Sequence, residues 1–278
     1  MSRLLLIRVL TEVAEHGGGG GHEGRPEIAN FITLLNTLFH GEGLAGMLLH
    51  YQAVVFAWMV VGIIAFFAYL SSRNRQLVPG SLQNLVEMVV EGLYNFFVGI
   101  LGPQGEKLVP FLGTLFVYIF VMNIFGLVPG MFSSTSNLNV TLALAICVFV
   151  YVQYIGIRRN GLLGYLWHMA GSPRSLVEWV LVPLNLPIHI IGELARPVSL
   201  SLRLFGNITG EDVLIAVFIG LGIASLSFLK LPVGVPLHVP FIFLAILTSL
   251  IQALVFALLS TVYLSLMLPH QGAHEQVG

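Results

Sequence analysis

Three stretches of this chain, Tyr51 to Leu70, Val109 to Pro129 and Leu138 to Ile157, contain no charged side chain at all. Each is long enough to cross the hydrocarbon of a bilayer, for which a helix needs about 20 apolar residues. A fourth stretch, Leu176 to Leu229, is mostly apolar yet carries Glu178, Glu193, Arg196, Arg203, Glu211 and Asp212. Phe241 to Leu268 is again free of charge. Only 9% of the 278 residues are charged, against about 25% in a soluble domain, and mean hydropathy is +0.91. Such a chain cannot solvate its own surface, which excludes a cytosolic enzyme and a disordered protein. The net charge of −1 leaves no electrostatic basis for binding nucleic acid. Cys147 stands alone in an apolar run, so neither a disulfide framework nor a cysteine metal site is available. The fold class that follows is an all-α integral membrane protein with about five membrane-embedded helices.

A further helix of a different kind is predicted between the first two spans. Over Ser81 to Leu101, apolar Leu82, Leu85, Val89, Leu93 and Phe96 recur every three or four residues, with Gln83, Glu87, Glu91 and Asn95 on another face. That pattern fits an amphipathic helix on the membrane interface, or a packing surface for a partner. Basic residues orient the whole. Arg73, Arg75, Lys107, Arg158, Arg159 and Arg174 fall on one side if the second and third spans form a hairpin through Ser133 to Asn137. The positive-inside rule makes that side cytoplasmic. The N-terminus, with Glu12, Glu15, Glu23, Glu27 and Glu42, then lies outside and the C-terminus inside. No cleavable signal is read in Met1 to Leu10, because Arg3 and Arg8 interrupt the few apolar residues there. Gly17 to Gly21, between His16 and His22, reads as a flexible linker, since so mobile a segment holds no fixed metal geometry. The expected organisation is an outer arm over 1–48, a membrane domain over 49–268 and a cytoplasmic tail over 269–278. Within that domain, 81–101 is the interfacial helix and 176–268 the paired final helices, joined by a turn at Pro232, Gly234, Pro236 and Pro240.

Ionisable residues inside a membrane are costly and usually line a pathway or pair with one another. At 100° per residue, His189, Glu193, Arg196, Ser199, Arg203, Asn207 and Glu211 all fall on one helix face about 120° wide. Asp212, the single aspartate of the chain, follows Glu211 directly in the sequence. An ion pair between Glu193 and Arg196, or between Arg203 and Glu211 or Asp212, is the structural alternative. The stripe as a whole reads as a hydrated track. On the last helix, Thr248, Gln252 and Tyr263 share a side, and a buried amide such as Gln252 needs a partner. Packing against the stripe through the short turn would bring Gln252 to the level of Arg203; a glutamine satisfied by backbone is the alternative.

At this point a resemblance becomes specific. The segment Arg196-Pro-Val-Ser-Leu-Ser-Leu-Arg-Leu-Phe-Gly-Asn207, with Gln252 and Thr261-Val-Tyr-Leu-Ser265, resembles the subunit a family of F-type ATP synthases. Pro110 to Pro129, with Asn123 and the ending Gly126-Leu-Val-Pro129, and Ser136-Asn-Leu-Asn-Val-Thr141 are similar to that family's second and third spans. The likeness covers roughly Tyr51 to Ser265. It implies a bacterial inner-membrane subunit whose last two helices form a long tilted hairpin beside a ring of c subunits. It also implies peripheral-stalk b subunits, membrane lipid and the rest of the synthase as partners. Two half-channels would carry protons to and from the ring carboxylates, with Arg203 as the essential charge between them. Asn207 and Gln252 match polar positions near that arginine. Asp212 matches a position facing the outer half-channel, and Glu193 and His189 are candidates for the inner one. Where some relatives carry an ionisable residue seven positions before the glutamine, this chain has Ala245; Asp212 with water, or His238, is left to compensate.

Protons are favoured over Na⁺, because no dense cluster of oxygen ligands is present. No cofactor is implied, and without a nucleotide-binding glycine loop the chain itself is not an enzyme. A self-contained ion-coupled secondary transporter is the alternative, weakened by the absence of an internal repeat. A purely structural subunit would not require an arginine in mid-membrane.

Overall fold

The computed structural model describes residues 31–32, 44–73, 80–169, 176–227 and 236–267. The glycine-rich part of the N-terminal arm, Arg75, Arg174, Pro232, Gly234 and the 269–278 tail lie outside the described residues. Among those described, every regular element is helical: α1 (Leu44–His50), α2 (Gln52–Arg73), α3 (Ser81–Leu101), α4 (Val109–Leu127), α5 (Leu138–Met169), α6 (Leu176–Ser227) and α7 (Val239–Leu266). Short 3₁₀ helices at Pro103–Leu108 and Ser134–Ser136 lead into α4 and α5. Six segments have the length and apolarity to cross a membrane, within α2, α3, the Gly105–Leu127 segment, α5, α6 and α7. The one in α3 has the lowest mean hydropathy, 1.3, in keeping with its amphipathic pattern. This is an all-α, multi-pass membrane protein.

Two helices run differently from what their side chains suggest. α5 continues past Arg158 and Arg159 to Met169, with one break at Gly161, where φ is 70°; only glycine takes that conformation without strain. α6 runs through Pro183, Pro187 and Pro197. Proline lacks the N–H that would reach the carbonyl four residues earlier, so Pro197 leaves the Glu193 carbonyl without its usual backbone donor.

The chain forms two compact units. The first draws on Met1–Phe67, Tyr118–Val140 and Leu204–Ala253. Its core holds Phe56, Val60, Ile119, Met122, Leu204 and Ile208, with the Phe56 ring 6.2 Å from those of Phe125 and Phe132. The turn after α4 is fastened by polar contacts. Thr135 donates its hydroxyl to Asn123 Oδ1 at 2.7 Å and lies 2.9 Å from the Ser133 hydroxyl. Asn137 Oδ1 accepts the Asn139 N–H at 3.0 Å, capping the start of α5. A Cβ at Gly126 would stand 2.8 Å from the Ser133 Cα, so the turn folds back only because that position is glycine.

The second unit draws on Ala68–Val117, Thr141–Arg203 and Leu254–Gly278. Its core is Phe97, Leu101, Leu112, Val148, Leu200, Phe256 and Leu264. Phe111 stacks on Tyr151 with ring centres 4.0 Å apart. Along α7, Ser260 and Thr261 return their hydroxyls to the carbonyls of Phe256 and Ala257, four residues back. These buried hydroxyls therefore need no partner on another helix.

Candidate functional site

The polar residues of α6 fall into two neighbourhoods. In the second unit the centre is Glu193, only 5% exposed. A carboxylate so placed must be paired. Arg196, three residues on and hence on the same face, sets Nη1 against Glu193 Oε1. His189 Nε2 stands 3.9 Å from that same oxygen. From α5, Gln153 donates Nε2–H to Glu193 Oε2 at 3.3 Å. The Arg196 guanidinium lies 5.0 Å above the Tyr263 ring of α7, a cation–π contact. Glu193, Arg196 and Tyr263 line a small open cleft together with Val148, Phe149, Val152 and Leu200.

In the first unit α6 and α7 pack antiparallel in a single register. Asn207 donates Nδ2–H to Gln252 Oε1 at 2.7 Å. One turn along α6, Glu211 Oε2 accepts the Thr248 hydroxyl at 2.9 Å. Further on, Phe218 stacks on Phe241 with ring centres 4.0 Å apart. Each forward step on α6 is matched by an equal backward step on α7. Gln252 is 3% exposed, and the partner its amide needs comes from a side chain of the polar stripe rather than from backbone. It meets Asn207, one turn past Arg203 in the sequence. Asp212 is half-buried beside Glu211 and makes its own contacts.

Arg203 belongs to neither network. Its side chain is exposed, and among the described residues nothing hydrogen-bonds or ion-pairs with it. At helical spacings around it on α6 stand Ser199, Gly206 and Gly210, all exposed. A Cβ at Gly206 or Gly210 would meet nothing within 4 Å. The guanidinium thus projects from a helix surface low enough for another surface to come close.

Residues 54–265 match the family model described as ATP synthase A chain. ATP synthase subunit a of Protochlamydia amoebophila is 48% identical over 247 residues, 89% of this chain and 91% of that protein. The chain belongs to the ATP synthase subunit a family. Subunit a of Solidesulfovibrio magneticus is 40% identical over 236 residues, covering 85% of this chain and 90% of its own. Subunit a 3 of Pelobacter propionicus is 38% identical over 213 residues, covering 77% and 86%. The subunit a family match thus takes in α2 through α7 almost entire, both polar neighbourhoods included.

One member of the subunit a cluster around Glu193, Gln153, was missed by the sequence reading, and another, Tyr263, was named without its partner. Gln153 is a lone amide in an otherwise apolar span, the same signal that drew attention to Gln252. Tyr263 was placed on the polar side of α7 without a partner, and its face is what Arg196 covers. Of the ion pairs considered, Glu193 with Arg196 forms. Asn123, singled out only for its resemblance to the family's second span, anchors the turn through Thr135.

Proposed function

We propose that this chain is the stator-side proton channel of a rotary F-type ATP synthase, carrying H⁺ through two half-channels to and from the carboxylates of a ring of c subunits. The observation that carries this reading is Arg203: an exposed cation without a partner among the described residues, on a helix with mean hydropathy 1.6. Such a charge is costly in lipid unless a counter-charge arrives from outside the chain. A ring carboxylate moving past supplies one. Arginine stays protonated where lysine can lose its proton, and its fixed charge lowers the pKa of a neighbouring carboxyl, favouring proton release. It also repels protons that would cross directly from one half-channel to the other. At about 2.3 kcal/mol per charge per 100 mV, each leaked proton wastes useful energy.

In this reading Asn207 and Gln252 stand near Arg203 and orient it, Asp212 belongs to the outer half-channel, and Glu193 and His189 belong to the inner one. The partners are the c-ring proteolipids, the peripheral-stalk b subunits, membrane lipid and the remaining synthase subunits, which carry the ATP chemistry. The chain sits in the bacterial inner membrane with its N-terminus outside, its C-terminus cytoplasmic and α3 on the cytoplasmic interface. The test is ATP synthesis by membrane vesicles under an imposed proton gradient. Arg203→Ala in an assembled complex should reduce synthesis to background; synthesis at the wild-type rate would refute the reading.

A further inference from the structure

Within the second unit, α5 has two unlike sides. Val148, Val152 and Ile155 turn into the core. Ile146, Cys147, Val150, Tyr154 and Ile157 are exposed. Arg158 is exposed as well, and at 100° per residue these six share one arc about 120° wide. Arg159 falls about 100° outside it. From Ile146 to Arg158 the helix rises roughly 18 Å at 1.5 Å per residue, close to the roughly 15 Å of hydrocarbon in one bilayer leaflet. The stripe therefore has the length of one acyl chain and ends at a fixed positive charge.

That charge is placed differently from Arg196. Arg196 faces a carboxylate, whereas among the described residues no carboxylate lies within ion-pair distance of Arg158. Arg158 donates Nη1–H to the Tyr154 hydroxyl oxygen at 3.3 Å, with its guanidinium carbon 6.0 Å from the centre of that ring. Tyr154 thus draws the guanidinium one turn back along the helix, onto the end of the apolar stripe. The contact uses one of five guanidinium donors and leaves the tyrosine its own proton to give. Tyrosine is favoured at the level of lipid headgroups, and a cation there attracts anionic ones.

We propose that this face of α5 binds one phospholipid of net negative charge. Its phosphate accepts hydrogen bonds from Arg158 and from the Tyr154 hydroxyl, and one acyl chain lies along Ile157, Val150 and Ile146. Bonds from a guanidinium to phosphate are charge-assisted and roughly twice as strong as neutral ones. A zwitterionic headgroup brings a cation of its own, for which the described part of this face offers no carboxylate. The site makes no use of the proton path, and its test reads lipid rather than pumping.

Cys147, the single cysteine of the chain, lies on the stripe and supplies the reporter. A fluorophore is attached to it in the assembled complex, with cysteines of the other subunits replaced. The complex is then reconstituted in phosphatidylcholine vesicles containing equal shares of brominated phosphatidylglycerol or brominated phosphatidylcholine, with bromine on the distal half of the chains. Quenching should show a preference of about fivefold for phosphatidylglycerol, the worth of one basic residue near an anionic lipid surface. Equal quenching overturns the site, and so does the absence of quenching by either lipid, which would mean that a protein covers the stripe. Arg158→Gln should bring the preference to unity, while Arg159→Gln, off the stripe, should keep it. A preference that survives Arg158→Gln, or that falls equally in both variants, overturns the proposal. If Arg158→Gln does not assemble, Tyr154→Phe decides: the preference should at least halve without the hydroxyl, and an unchanged preference overturns the site.

Discussion

The neighbourhood of Glu193 and that of Glu211 put the same acid on the same helix and treat it in opposite ways. Glu193 is met by a cation, an amide and an imidazole, and its arginine is covered in turn by Tyr263. Glu211 receives one neutral hydroxyl and keeps a bare oxygen. All four buried side-chain atoms without hydrogen-bond partners among the described residues, on Asn123, Ser134, Glu211 and Gln252, belong to the first unit. The difference is physical. A fully paired carboxylate is fixed in place by its partners, whereas a half-paired one keeps an oxygen open to water or another donor.

Three changes bear on this contrast, from the largest effect down. Arg196→Ala strands the Glu193 carboxylate in a buried site, and the expected loss of stability is about 3–5 kcal/mol. Equilibrium unfolding in mixed micelles measures it, and a loss below about 1 kcal/mol would show that Glu193 is not held as described. Tyr263→Leu keeps an apolar floor but removes the ring under the guanidinium. It should cost about 1–2 kcal/mol, and a double-mutant cycle with Arg196 should assign most of that to the pair. Thr248→Val takes away a single neutral hydrogen bond beside a half-exposed acid, so unfolding should register only about 0.5–1 kcal/mol. A cost as large as that of Arg196→Ala would erase the distinction between a fully paired and a half-paired carboxylate.

How far the sequence discloses all this depends on the kind of signal. The spans were legible because hydropathy and length are properties of the chain alone: α3 spans Ser81 to Leu101 as its periodicity predicts, and α4 and α5 begin at Val109 and Leu138, as their apolar stretches predict. The α6 stripe was legible because helical period is local, and it persists through Pro197. Gln252 announced its need for a partner because a lone amide in an apolar helix is conspicuous. Which partner it takes was not legible, since Asn207 is fixed by the register between α6 and α7, a property of two helices together. The same limit hid Gln153 behind Glu193. Arg158 and Arg159 suggested the end of a helix, yet α5 continues to Gly161 and resumes beyond it, because an interfacial charge ends a membrane span without ending a helix. The separation of Arg196 from Arg203 was the hardest to see. The two share a face at a spacing of seven, and only packing shows one of them paired and the other bare.

That separation is the central claim, and ATP-driven acidification of inverted vesicles tests it most directly. With Arg203→Ala, and with the assembled complex confirmed by its retained ATP hydrolysis, the account predicts that acidification disappears. Acidification at the wild-type rate would mean that the unpaired arginine is not the coupling charge.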